Sequence, residues 1–190
     1  MTYYIVKYAG PFGFIKPWTA VRDSKTFSQQ FLTPSIVEGI EKKLFPETLL
    51  LPGIHKIVRH KLIYSSVSIQ QEVTQTRGWE YKKQQHLMVR NRSILDRGTL
   101  VAPVLQLAFP ERVDAVAAAG QHICLCRNED ILFPEQEVVV MEEAEFDALD
   151  GFELRFGEME GAFLVGFNRF DNAAPMYGQL AVSGNPVKNI

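Results

Sequence analysis

Hydrophobic and polar positions change period several times along this chain, and each change marks an element. Residues 2–8 (TYYIVKY) are β-branched and aromatic, with no breaker until Gly10-Pro11, which predicts a first strand. The stretch to residue 32 mixes Gly13, Pro17 and Trp18 with cations and predicts a long exposed loop. At Thr33-Pro34-Ser35 a helix should open. Thr33 can cap the free amides, Pro34 suits the first helical position, and Ile36, Val37, Ile40 and Leu44 follow at helical spacing until Pro46. Residues 54–67 alternate enough for a half-buried strand, with His55, Lys56, Arg59, His60 and Lys61 among the polar positions. Residues 68–92 keep strand alternation on both sides of Arg77-Gly78, a hairpin-turn signal, but carry few apolar side chains for a core. Such a hairpin has to project.

Residues 99–109 (TLVAPVLQLAF) predict a buried strand, 110–119 a short helix closed by Gly120, and 122–126 another strand. Strand, helix, strand, inserted hairpin, strand, helix, strand is the βαββαβ order of ferredoxin-like, RNA-recognition-type folds. Further strands are expected at 138–141, 152–156, 162–167 and 176–182. The expectation is therefore an α+β protein in three parts. Residues 1–127 form a ferredoxin-like RNA-binding domain, a β-hairpin thumb is inserted at about 68–92, and residues 128–190 form an acidic, β-rich extension.

A chain of 190 residues, 46% hydrophobic and 22% charged, is long enough and apolar enough for a real core. No run of about 18 apolar residues occurs, and the first ten residues lack the pattern of a signal peptide. A cytoplasmic chain without membrane contact is expected. The two cysteines, Cys124 and Cys126, cannot close a stapling loop and suit a reducing compartment.

The net charge of −2 hides an asymmetry. Residues 1–112 hold 16 Lys and Arg against 8 Asp and Glu, whereas residues 113–190 hold 4 against 14. The front half, at +8, can attract a polyanion, and the back half, at −10, cannot; alternatively the halves neutralise each other across an internal interface.

Candidate chemistry is sparse outside the hairpin. His122, Cys124 and Cys126 alternate on one expected strand face, but neighbours there are about 7 Å apart, too spread for three to converge on zinc. They read as small buried side chains on a core strand, and no metal or cofactor is expected. Walker, dinucleotide, HExxH and nucleophile-elbow patterns are absent. Between residues 77 and 97, Arg77, Lys82, Lys83, Arg90, Arg92 and Arg97 outnumber Glu80 and Asp96, with Trp79, Tyr81 and His86 interleaved. Cations meet phosphates and flat rings stack on unpaired bases, so the mixture suits single-stranded RNA; a solvated edge hairpin that uses charge against aggregation is the alternative. Lys16, Trp18, Arg22 and Lys25, in the first long loop, complete the candidate RNA-binding set.

Gly10-Pro11-Phe12-Gly13-Phe14-Ile15-Lys16-Pro17, then fifteen residues, then Thr33-Pro34-Ser35-Ile36-Val37-Glu38-Gly39-Ile40 resembles the opening of the fifth CRISPR-associated protein family. Residues 54–62 resemble the family's second strand, and Gln179-Leu180-Ala181-Val182-Ser183-Gly184-Asn185-Pro186 resembles its closing strand. The resemblance implies a subunit of a Class 1, Cascade-like CRISPR surveillance complex. Such a subunit caps the five-prime handle of the crRNA, touches the backbone and large subunits, and meets target DNA only through the assembled complex. One branch of the family also cuts precursor crRNA without metal. Its Tyr falls at Leu44 or Phe45 here and its Lys-His pair at Glu111-Arg112, so no general base is supplied and no catalytic residue is expected. His86 beside Lys82 and Lys83 is the one grouping that could assemble a replacement. An endoribonuclease and a protein adaptor without RNA contact stay open as alternatives.

Overall fold

Strand β1 (Thr2–Ala9) alternates as its pattern predicts, but both of its faces are covered. Val6 and Tyr8 enter the larger core, and Tyr3 and Ile5 enter a smaller one on the opposite side of the sheet. The computed structural model describes residues 1–19, 24–75 and 78–188. Two short strands follow, β2 (Phe12–Gly13) and β3 (Lys25–Phe27), and then helix α1 (Pro34–Leu44) begins with Pro34 in its first turn. Thr33 caps α1 through its backbone rather than its side chain. Its carbonyl accepts the amides of Ile36 and Val37 at 3.0 and 3.1 Å, while its hydroxyl lies 3.3 Å from that of Ser35.

Helix α1 buries Val37, Ile40 and Leu44 as expected, and it also buries Glu38, Glu41 and Lys42. The Glu41 carboxylate accepts the amides of His55, Lys56 and Ile57 at 2.7, 2.7 and 2.8 Å. Those amides are then lost to a ladder, which is why the strand expected from residue 54 starts late, as β4 (Arg59–Ile63).

The expected strand at 99–109 is two strands. β8 (Arg92–Val101) and β9 (Val104–Phe109) meet at a corner where Ala102 has φ +47° and Pro103 has no amide to give a ladder. β9 pairs with β1 and β4, whereas β8 pairs along its whole length with β5 (Ser66–Gln75), from Ser66 opposite Val101 to Gln75 opposite Arg92. The β4–β9 hairpin of the core thus runs straight into a ribbon. Beyond β5 the ribbon ends in a second small hairpin, β6 (Glu80–Lys82) and β7 (Leu87–Val89). Among the described residues the chain reverses between Lys82 and Leu87, with His86 at φ +49°; Arg77 of the turn expected at Arg77-Gly78 lies outside the described residues. The thumb is longer than expected, spanning 66–101.

Helix α2 (Arg112–Ala119) matches its expected place, and Tyr8 donates to the carbonyl of Ala118 at 2.7 Å. The expected strand at 122–126 is only β10 (Ile123–Cys124), which pairs with β11 (Ile131–Pro134) and not with β1. The edge of β1 is filled by β11 and then β12 (Val139–Glu142). After β12 comes a helix that the pattern did not suggest, α3 (Glu143–Ala148), closed by a reciprocal box between Glu142 and Glu145. Glu at the cap position is not one of the usual signals. Its other end is met by buried Lys61, whose ammonium donates to the carbonyls of Asp147 and Leu149 at 2.9 and 2.6 Å.

The remaining strands, β13 (Gly151–Phe156), β14 (Phe163–Asn168) and β15 (Ala174–Ser183), form a meander near their expected places. β13 joins β4 through Phe152 opposite Leu62, giving one antiparallel sheet of order β10, β11, β1, β9, β4, β13, β15, β14, with β12 also beside β1. The protein is a mixed α+β fold, mostly sheet with few helices, and its sheet is continuous across the boundary expected at residue 127. Among the described residues no helix is long and apolar enough to cross a membrane.

One core residue has a testable consequence. His60 is 2% exposed, stacked on Phe156 at 5.3 Å, and its Nε2 has no partner; burial lowers its pKa from 6.5 to about 4. The folded state holds this ring neutral while the unfolded chain protonates it, so its share of stability is whole above pH 6.5 and is lost as pH falls towards 4. The loss amounts to about 3 kcal/mol. Denaturant titrations of the wild type and His60→Phe should differ in slope against pH by nearly one proton in that window; parallel curves would refute the assignment.

Candidate nucleic-acid interface

The sequence-derived site residues fall in two places, the tip of the ribbon and its base. At the tip, Tyr81 faces Met88 across the β6–β7 pair, and alternation puts Trp79 and Arg90 on that same face. The guanidinium of Arg90 stands 5.6 Å from the Trp79 ring, and the Tyr81 hydroxyl lies 2.9 Å from Nδ1 of His86. Trp79 is 61% and Tyr81 50% exposed, with Lys82, Lys83 and Arg92 exposed beside them. Exposed rings among cations offer bases a stacking surface and phosphates a counter-charge. Arg22 and Arg77 lie outside the described residues.

At the base, β3 runs parallel to β8, with Lys25 opposite Asp96 and Thr26 opposite Arg97. Lys25 is exposed over Phe27. Arg97 is different. It bonds Glu72 at 3.3 Å and Thr26 Oγ1 at 3.1 Å, stands over the Phe14 ring, and its side chain is only 14% exposed. The two faces of the ribbon also differ. Val67, Ile69, Val73 and Ile94 share one face with Phe27, whose ring covers Gly98 so closely that a Cβ there would lie 2.2 Å away. All five are between 41% and 63% exposed, an apolar stripe interrupted by Gln71, Asp96 and Lys25 that the sparse hydrophobics of the hairpin did not suggest.

Lys16 and Trp18 lie away from the tip, at a cavity of about 160 Å³ beside the start of α1. Trp18 packs edge-on against Phe167 at 5.5 Å and remains 45% exposed. Ser35, Ile36 and Cys126 also line a second cavity of about 390 Å³, so the two form one groove. To Lys16 the second cavity adds the cations Lys43 and Arg169. Sequence reasoning missed both, because Lys43 reads as an ordinary helix lysine and Arg169 stands alone in the acidic half. Gly39 was the available signal: a Cβ there would meet Nη2 of Arg169 at 2.6 Å, so the small residue lets the guanidinium lie against α1.

His122 and Cys126 are exposed and Cys124 is half-buried, while Ile123 and Leu125 fill the core. The reading of the three as buried core side chains is corrected: the strand turns its other face inward. Among the described residues no group of three His, Cys, Asp or Glu could hold a metal. Buried Glu38 and Glu41 are engaged by backbone amides, and the Arg59 guanidinium, raised by its bonds to Glu153, bridges Glu153 and Asp147 at 2.5 to 2.7 Å.

The fold is similar to that of a solved chain described as "CRISPR RNA-guided surveillance complex". The TM-score is 0.52 and the identity 10%, over 97% of this chain and 91% of that one. No protein-family model matches the chain, and no curated protein matches it.

The contrast between Arg97 and the tip lysines is measurable. Arg97→Met should destabilise by about 1–2 kcal/mol, because it strips partners from Glu72 and Thr26. Lys82→Gln with Lys83→Gln should change stability by no more than about 0.5 kcal/mol. Urea unfolding of both variants distinguishes an arginine that holds the ribbon from lysines that do not, and equal effects would refute the division.

Proposed function

We propose that this chain is a non-catalytic, crRNA-binding subunit of a Class 1, Cascade-like CRISPR surveillance complex in the cytoplasm. It caps the five-prime handle of the crRNA, contacts the backbone and large subunits, and reaches target DNA only through the assembly, in defence against viruses and plasmids. The observation that carries this reading is the ribbon tip, where Trp79 and Tyr81 stand 61% and 50% exposed among Lys82, Lys83, Arg90 and Arg92.

Two further observations support it. The strand order β11 and β12, β1, β9, β4 matches the four-one-three-two order expected of a ferredoxin-like βαββαβ unit and so supports that reading, with the ribbon growing out of the hairpin of β4 and β9. The similar solved chain carries a description as part of an RNA-guided complex. The absence of cleavage is proposed from Leu44, Phe45, Glu111 and Arg112, which stand where the cutting branch has its Tyr, Lys and His. A protein adaptor without RNA contact is the second reading, favoured by the exposed stripe of Phe27, Val67, Ile69, Val73 and Ile94.

Replacing Lys82, Lys83, Arg90 and Arg92 together should flatten the slope of log affinity for single-stranded RNA against log salt by roughly 3 units, at about 0.7 per phosphate contact. An unchanged slope would remove the tip from the interface, and no salt-sensitive affinity at all would favour the adaptor.

Incubation of the protein with repeat RNA in chelator should leave the RNA intact. A discrete product that disappears in His86→Ala would show that the chain is an endoribonuclease.

A further inference from the structure

The groove beside α1 gathers cations that the fold has not neutralised. Lys16 comes from the loop after β2, Lys43 from the last turn of α1 and Arg169 from the turn after β14. Among the described residues no Asp or Glu lines either of its two cavities. Lys7, Lys42, Lys56, Arg59, Arg97 and Arg127 each meet a carboxylate within 3.3 Å, whereas these three meet none among the described residues. What holds them in place is neutral. The Lys43 ammonium donates to the carbonyl of His122 at 2.8 Å, and the Arg169 guanidinium lies 4.6 Å from the Phe170 ring, against Gly39. Charge positioned but left unpaired in a concave site is the complement of an anion.

The other end of the groove is aromatic. Trp18 lies over the backbone of Gly166, where a Cβ would come within 3.5 Å of it, and it stands edge-on to Phe167. The two rings remain 45% and 49% exposed. Beside them the side-chain nitrogen of Gln29 is committed to the carbonyl of Phe31 at 2.8 Å, which leaves its oxygen to accept. Ser35, Ile36 and Cys126 join the ends, and the cavities of about 390 and 160 Å³ together reach the size range of small-molecule sites.

We propose that this groove is a nucleotide subsite that holds a phosphate group at Lys43 and Arg169 and an unpaired base beside Trp18. A phosphate accepts from a guanidinium and an ammonium together, and a base offers a flat face to the indole and a donor edge to Gln29. An acidic protein segment would satisfy the cations and leave the aromatic end unfilled. Two sources supply this chemistry, a unit of the single-stranded RNA proposed above and a free nucleotide, and only the first rests on the RNA reading.

The test uses the full chain. Trp18 and Trp79 are its only tryptophans, so in a Trp79→Phe background the fluorescence reports Trp18. Adenosine monophosphate, uridine monophosphate, inorganic phosphate and a hexaglutamate peptide are titrated there, and single-stranded RNA affinity is measured with Trp79 intact. At least one nucleotide should quench Trp18 saturably, and phosphate should bind at least tenfold more weakly. Lys43→Gln with Arg169→Gln should weaken the nucleotide at least tenfold, since it removes two charge-assisted contacts. Gly39→Ala should weaken it in the same direction by crowding only the end of the Arg169 side chain, and it decides the matter should the double variant melt below the wild type. When the nucleotide belongs to an RNA strand, the double variant also lowers RNA affinity and flattens the salt slope by about 1.4 units, at about 0.7 per phosphate contact. When it is free, the quenching alone is lost. Either result supports the subsite, the first even where the isolated nucleotides bind too weakly to quench. No quenching by either nucleotide, together with unchanged RNA affinity and slope, overturns it and leaves the RNA reading to the tip. Phosphate that binds as tightly as the nucleotides, or hexaglutamate that binds more tightly than both, also overturns it. A wild type without RNA affinity defeats the RNA reading alone, and the nucleotide titration then decides the subsite.

Discussion

The backbone corner at Ala102-Pro103 is the constraint on which the rest depends. A strand running unbroken from residue 92 to residue 109 would force the core sheet and the ribbon into one plane. The positive φ of Ala102 and the missing amide of Pro103 end the ladder there instead, while Ser65 holds the carbonyl of Val101 from the other strand. One hairpin is thereby divided into a buried half, β4 with β9, and a solvated half, β5 with β8. The ribbon gains further backing from β2 and β3, which pair with β8 at its base.

A second theme is the use of buried charge to hold backbone rather than to bind ligand. Glu41 takes three consecutive amides, Glu38 and Lys42 fix the turns after α1, and Lys61 closes the end of α3. Each group sits under a loop that has no ladder of its own, where unpaired peptide groups would be costly. These charges are unavailable for chemistry, and so is Arg97, drawn in between Glu72, Thr26 and Phe14. What remains accessible is the tip, with its rings and cations, and the groove of Lys16, Lys43 and Arg169 beside α1.

The charge asymmetry of the chain acquires a spatial meaning in this arrangement. The basic half supplies the ribbon, its tip and α1, whereas the acidic half supplies the strands beside β1, the helix α3 and the meander beyond β4. Part of the asymmetry is neutralised internally, through Arg59 with Glu153 and Asp147, Lys7 with Glu135, and Lys56 with Asp114. The cations of the tip take no part in those pairs.

Periodicity alone placed β1, α1, α2 and the strands of the meander, because the repeat of apolar positions is written in the residues themselves, although it did not show that β1 and β13 are covered on both faces. Composition likewise marked Trp79, Tyr81 and the lysines beside them, since nothing in a core could use them. The rest was decided by contacts distant in sequence. The late start of β4 depends on Glu41, 14 to 16 residues before the amides it accepts, the filling of the β1 edge by β11 and β12 depends on sheet pairing, and the commitment of Arg97 depends on Phe14 and Glu72. Arg169 is the plainest case: a lone cation in an acidic stretch becomes a wall of the groove beside Gly39, on a helix 130 residues earlier, whose missing side chain leaves space for the guanidinium. A local pattern records which face of an element is apolar; which elements meet, and which charges are used up in meeting, is settled only by the closed fold.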